Sequence, residues 1–202
     1  MRRRRAYAIE VQATTAHVRA TFQAELIRVL MEVVLTQKGL IHFIHGKESG
    51  PGGRKLAALS SVALDNGWQV SHLDYSHTTD PGVRLEQLLI ACSGEERPLL
   101  LVGSSMGGWV AAEAAQRLGV RGVFLIAPAV YMPGYPSQEP VVGGDRTEIV
   151  HGWNDEVIPY ENAVRFARVR QCTLHLVQGD HRLSANIPLL RALFSAFLAQ
   201  CE

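Results

Sequence analysis

The stretch PLLLVGSSMGGWVAAEAAQRL, residues 98–118, decides the fold. Pro98 to Val102 form an apolar run too continuous for a strand with one wet face, so they predict a strand at the centre of a sheet. Met106 to Leu118 are rich in helix formers and stop at Gly119, a helix C-terminal signal. Between them Gly103-Ser104-Ser105-Met106-Gly107 fits G-x-S-x-G, a strained strand-to-helix turn that lifts a serine hydroxyl clear of a sheet. Glycines two before and two after the serine let neighbouring backbone pass where a Cβ would clash. The hydroxyl then stands at the positive end of the following helix. A phosphate-cradling loop would call for a P-loop lysine or the third glycine of a dinucleotide fingerprint, and the stretch supplies neither. Ser105 is therefore the candidate nucleophile; Ser104 is the alternative, and register favours Ser105.

Outward from this turn, short apolar runs alternate with helical stretches. Leu40 to His45 reads as a buried strand running into a glycine-containing loop, Arg54 to Asn66 as a helix stopped by Gly67, and Trp68 to Leu73 as a strand. Val83 to Ala91 reads as a helix introduced by Asp80-Pro81. Downstream, Val123 to Ile126, Glu148 to His151 and Thr173 to Val177 read as strands, with helices over Tyr160 to Val169 and Ile187 to Leu198. This alternation predicts an α/β fold with a mainly parallel central sheet and helices on both faces. Sheets of that kind gather their chemistry in loops at the carboxyl ends of the strands.

A neutral serine hydroxyl is a poor nucleophile and needs a base, itself oriented by a third group. Behind a G-x-S-x-G turn the expected chain order is serine, acid, histidine. Asp155 lies in HGWNDEVIP, residues 151–159, just past a strand and ahead of a helix. Its neighbour Glu156 remains an alternative. His181 follows the last strand in GDHR, residues 179–182, while His175 falls inside that strand. Asp180 is a weaker rival to Asp155, because adjacent side chains rarely converge on one imidazole.

A tetrahedral intermediate needs backbone donors aimed at its oxyanion. The amide of Met106 is expected to be one. The other is expected from the loop after the first strand, HGKESGPGG, residues 45–53, where Gly46 lets the chain turn and the Lys47 amide is the best candidate. Gly46, Glu48 and Ser49 are expected to line the mouth of the site. His45 precedes the serine in the chain and reads as structural.

The composition narrows the class. The 202 residues and 22.2 kDa suit one domain with a substantial core. Twenty basic residues against nineteen acidic give a net charge of +1, which argues against a nucleic-acid partner. No apolar run is long enough for a membrane span. Cys92, Cys172 and Cys201 are widely spaced and odd in number, so they read as reduced thiols of a cytoplasmic protein, with no disulfide scaffold and no metal site. Residues 1–30 differ in character from the rest, and the run Arg2 to Arg5 reads as a solvated tail. The division expected is therefore an N-terminal extension over 1–30, poorly ordered, and a catalytic domain over 31–202. Met31 stands as an alternative start.

Taken together, HG in the first loop, GSSMGG at the turn, HGxxDxxIP around the acid and GDH at the base resemble the α/β-hydrolase superfamily. The resemblance runs from about Leu40 to Leu198 and is nearest to compact, lidless members: small bacterial esterases and palmitoyl-protein thioesterases. Ile158 stands where the family more often has Val, a conservative change. The resemblance implies hydrolysis of esters or thioesters through an acyl-enzyme, without metal or organic cofactor. Small-molecule acyl esters or thioesters, or an acylated protein, are then the expected partners. A non-catalytic hydrolase-like binding protein is the rival from another class. Many relatives insert a helical cap after the fourth strand. Here Ala127 to Thr147 is too short for one; the loop carrying Tyr131, Met132 and Tyr135 is expected either to form one wall of an open acyl groove or to be an ordinary surface loop.

Overall fold

The computed structural model describes residue 19, residues 21–28 and residues 37–201. Most of the 1–30 extension, including the arginine run, lies outside the described residues; residues 19 and 21–28 are helical. Residues 38–202 form one compact unit.

In that unit six strands alternate with five helices. They are β1 (Leu40–Ile44), α1 (Arg54–Asp65), β2 (Gln69–His72), α2 (Pro81–Ala91), β3 (Leu99–Ser104) and α3 (Met106–Leu118), then β4 (Gly122–Ile126), β5 (Arg146–Gly152), α4 (Tyr160–Arg170), β6 (Thr173–Val177) and α5 (Ile187–Leu198). A single 3₁₀ turn, Ser184–Asn186, precedes α5. The strands form one sheet in the order β2-β1-β3-β4-β5-β6, and every pairing is parallel.

Alternate strand residues supply two separate cores. Ile44, Leu99, Leu101, Val123, Leu125 and Ile149 pack with Leu85 and Leu88 of α2, Trp109 of α3 and Phe166 of α4. Their neighbours Ile41, Phe43, Leu100, Val102, Phe124, Ile126 and Val150 pack with Leu56 and Leu59 of α1 and with Phe194 and Phe197 of α5. A strand covered on both faces must be apolar at every position, which is why 98–102 shows no alternation.

Element types agree with the sequence reading, and the differences lie at boundaries. Helix α2 begins at Pro81, two residues earlier than its apolar pattern, because the Asp80 carboxylate caps it by accepting from the Gly82 and Val83 amides at 2.7 and 3.1 Å. Strand β3 continues through Gly103 to Ser104, and β5 runs from Arg146, both held by pairing with β4. Between β4 and β5 the chain carries neither helix nor strand. All the candidate chemistry falls in loops at the carboxyl edge of the sheet, after β1, β3, β5 and β6.

Candidate active site

The turn after β3 is fixed from several sides. Ser105 adopts φ 56° and ψ −120°, a conformation that L-residues seldom enter. Its amide donates to the Ile126 carbonyl at 2.9 Å, and its carbonyl accepts from the amides of Gly108, Trp109 and Ala129 at 2.9, 3.2 and 3.0 Å. The flanking glycines are required by close packing: a Cβ on Gly103 would lie 2.2 Å from the Gly107 carbonyl oxygen, and one on Gly107 would lie 2.1 Å from that of Ile44. Ser104 is the last residue of β3, so Ser105 is the serine on the turn.

Three side chains distant in sequence meet here. His181 Nε2 lies 3.1 Å from Ser105 Oγ, and His181 Nδ1 lies 2.8 Å from Asp155 Oδ2. With Nδ1–H donating to the carboxylate, the Nε2 lone pair is left facing the serine hydroxyl. The other Asp155 oxygen, Oδ1, accepts from the amides of Val157 and Ile158 at 2.9 and 2.8 Å, so the acid is braced by its own loop. Of its two rivals, Glu156 is exposed, and Asp180 Oδ1 accepts from the Leu183 amide at 2.8 Å.

A second histidine, which sequence reasoning left unassigned, also reaches the acid. His151, fully buried at the end of β5, places Nε2 3.0 Å from Asp155 Oδ2 and 3.0 Å from the Ile158 carbonyl oxygen. A carbonyl oxygen only accepts, so Nε2 carries the proton and shares it between these two oxygens. Burial works against ionisation of Asp155. The hydrogen bonds from His151, His181 and the Ile158 amide outweigh it and hold the carboxyl far below the usual carboxylate range. The signal for His151 was the four-residue spacing to Asp155 across a strand exit. On α1, burial brings the Lys55 ammonium down to about 8 against the pull of Asp155 and Asp180, which leaves a cation beside these loops at neutral pH.

The loop after β1 lies against the serine. A Cβ on Gly46 would stand 3.3 Å from Ser105 Cβ and 3.6 Å from Ser49 Oγ. Lys47, Glu48 and Ser49 are exposed on the same loop, and Met106 is the buried first residue of α3. The buried His45 lies beneath the loop: its Nε2 accepts the Tyr75 amide at 3.0 Å, so its Nδ1 carries the proton and donates to the Gly46 carbonyl at 2.8 Å. Tyr131 and Met132 pack against α4. The Tyr131 hydroxyl donates to Glu139 at 2.8 Å, its ring meets Phe166 edge-on, and the Arg165 guanidinium stacks 3.9 Å from the ring centroid. Met132 Sδ accepts from Asn162 Nδ2 at 3.8 Å.

Among the described residues no group of three or more His, Cys, Asp or Glu side chains is placed to hold a metal ion, and no helix is long and apolar enough to cross a membrane. A surface groove along α2, lined by His77, Asp80, Val83, Glu86 and Ile90, shares no residue with the Ser105 site.

Comparison with solved structures places this geometry. The chain is 30% identical to a protein from Xanthomonas campestris pv. campestris described as a hydrolase of the alpha/beta superfamily, over 81% of this chain and 99% of that one, with a TM-score of 0.76. This chain belongs to the α/β-hydrolase superfamily. Residues 40–136 of this α/β hydrolase also match the model of Uncharacterised protein family (UPF0227). Two other α/β-hydrolase-like structures share the fold at lower identity. Est1E from Butyrivibrio proteoclasticus is 17% identical, with a TM-score of 0.68 over 82% of this chain and 89% of its own. Mouse alpha/beta hydrolase domain-containing protein 10 is 21% identical, with a TM-score of 0.65 over 82% and 92%. No curated protein sequence gives a significant match.

Proposed function

We propose that this α/β hydrolase is a serine hydrolase that cleaves carboxylic esters or thioesters through an acyl-enzyme on Ser105. One observation carries the reading: the continuous path from Asp155 Oδ2 through His181 to Ser105 Oγ, at 2.8 and 3.1 Å, with the serine held on a strained turn. His181 takes the Ser105 proton as Oγ adds to the acyl carbon. Asp155 orients the imidazole and stabilises its charged form. The oxyanion is held by the amides of Met106, at the positive end of α3, and of Lys47. Collapse of the intermediate expels the alcohol or thiol, which receives its proton from His181. Water, deprotonated by the same imidazole, then releases the acid and restores the hydroxyl.

A fluorophosphonate probe tests this directly. Wild type should label at Ser105, while Ser105→Ala should not; equal labelling of both would remove Ser105 from the mechanism. Labelling without turnover on any acyl ester or thioester would leave a binding protein in place of an enzyme. A panel of acyl thioesters graded by chain length separates a general short-chain hydrolase from a palmitoyl-thioesterase-like deacylase, which would show a steep preference for long chains.

A further inference from the structure

The most heavily buried cation in the hydrolase unit plays no part in the mechanism above. Arg84, on α2, is 0% exposed. Its Nη1 donates to the carbonyls of His45 and Gly46 at 3.1 and 3.2 Å, and its Nε and Nη2 donate to the Thr78 carbonyl at 3.0 and 2.8 Å. The guanidinium stands 5.6 Å from the Tyr75 ring centroid. Among the described residues no carboxylate lies within ion-pair distance of it. A buried charge without a counterion is costly, and a guanidinium does not relieve the cost by losing its proton. Neutral donors would satisfy three carbonyls at less expense, so the charge calls for another explanation.

The target of its donors supplies one. The Gly46 carbonyl accepts from one of them, Nη1 at 3.2 Å, and also from the protonated Nδ1 of His45 at 2.8 Å. Among the described residues no peptide bond is cis, and in a trans peptide the carbonyl and the following N–H point in opposite directions. With the Gly46 oxygen pinned toward the interior, the Lys47 N–H is turned outward, on a loop whose Gly46 packs directly against Ser105. A cation at the carbonyl end also polarises that peptide, which makes its N–H a stronger donor.

We propose that Arg84, acting with His45, is the positioning residue of the oxyanion site, fixing and polarising the Gly46–Lys47 peptide so that the Lys47 N–H faces the oxygen that becomes negative during attack on the acyl carbon. This deepens the serine-hydrolase reading and rests on it. The selective signature is a loss in kcat with KM little changed, because the oxyanion exists only beyond the ground state.

The experiment uses p-nitrophenyl acetate turnover and fluorophosphonate labelling of the full chain. Arg84→Met should lower kcat by about 10- to 100-fold with KM within about threefold, while Arg84→Lys, which keeps the charge but loses the fork, should recover part of the loss. His45→Leu should resemble Arg84→Met, and His45→Asn, whose amide nitrogen can replace Nδ1–H, should recover most of the deficit. The His45 pair and Arg84→Lys carry the test if Arg84→Met fails to fold. Folded variants that lose thermal stability but keep wild-type kcat, or conservative substitutions that do no better than the apolar ones, would overturn the assignment. Wild type that labels at Ser105 keeps the hydrolase reading standing however the Arg84 variants behave; wild type that does not label removes both.

Discussion

His151 and His181 converge on one oxygen. Both place a ring nitrogen on Asp155 Oδ2, at 3.0 and 2.8 Å, while the second carboxylate oxygen is taken by two backbone amides. The acid is thus an acceptor on every side; its side chain and that of the histidine four residues before it are hidden from solvent, while His181 keeps some exposure.

The buried partner should matter for the acid more than for packing. Replacing His151 by Leu removes a donor to a charged group, an interaction worth about 1.5–3 kcal/mol. We expect kcat to fall roughly 10-fold or more by that arithmetic, with KM nearly unchanged. His151→Gln, whose amide nitrogen reaches about as far as Nε2, should recover much of the loss. Steady-state kinetics on one ester decide it, and equal deficits in the two variants would reduce His151 to a space-filling role.

Asp155→Asn should be more damaging than the loss of one hydrogen bond. Four N–H donors surround the carboxylate. An amide turns its own NH₂ toward either the two histidines or the two backbone amides, so donors face donors in both orientations. A drop in kcat of about 10³- to 10⁴-fold is expected, together with a lower Tm. Calorimetry and turnover on the same preparation check both parts.

The glycines of the turn allow a prediction with a built-in control. Gly107→Ala brings a Cβ to 2.1 Å from the Ile44 carbonyl oxygen, a rigid backbone atom in a central strand. Destabilisation of at least about 3 kcal/mol, or failure to accumulate folded protein, is expected. Gly52 has nothing within 4 Å of where its Cβ would stand, so Gly52→Ala should stay within about 0.5 kcal/mol of wild type. Urea unfolding compares them, and a stable Gly107→Ala would mean that β1 and α3 sit farther apart.

Buried imidazoles should make the fold sensitive to acid. Burial lowers the proton affinity of His42, His45 and His72 below the ordinary value of 6.5, and both ring nitrogens of His42 lack a hydrogen-bond partner among the described residues. Below pH 6.5 the unfolded chain binds protons at these positions more readily than the folded one, so the stability they confer is complete above 6.5 and is lost as the pH falls. His42→Leu should therefore gain stability relative to wild type at pH 5 and gain less at pH 8. Unfolding curves at the two values test this, and a difference independent of pH would clear His42 of the effect.

Much of this was legible because the decisive signals are local. The 98–102 run, the glycines around Ser105 and the strand exits ahead of Asp155 and His181 are each read within a few residues, and chain order links them. The remainder is set by contacts across the chain. Arg84 reaches Gly46 across 38 residues, and on α2 it reads as one of the helix's two charged positions, beside Glu86. Tyr131 shows an aromatic loop residue suited to a groove wall, but Glu139, Phe166 and Arg165, which claim its hydroxyl and ring, are identified only by the packing of α4. The end of β3 at Ser104 depends on pairing with β4, which a window along one strand does not contain.

The sheet order also bears on how the enzyme would fail. Ser105 follows β3, flanked by strands on both sides, whereas His181 follows β6, which pairs with β5 alone at the outer margin. Margins fray at lower cost than interiors. Under mild denaturant, turnover should therefore vanish while far-UV ellipticity is still intact, because the imidazole drifts from an alcohol whose own support has not yet loosened.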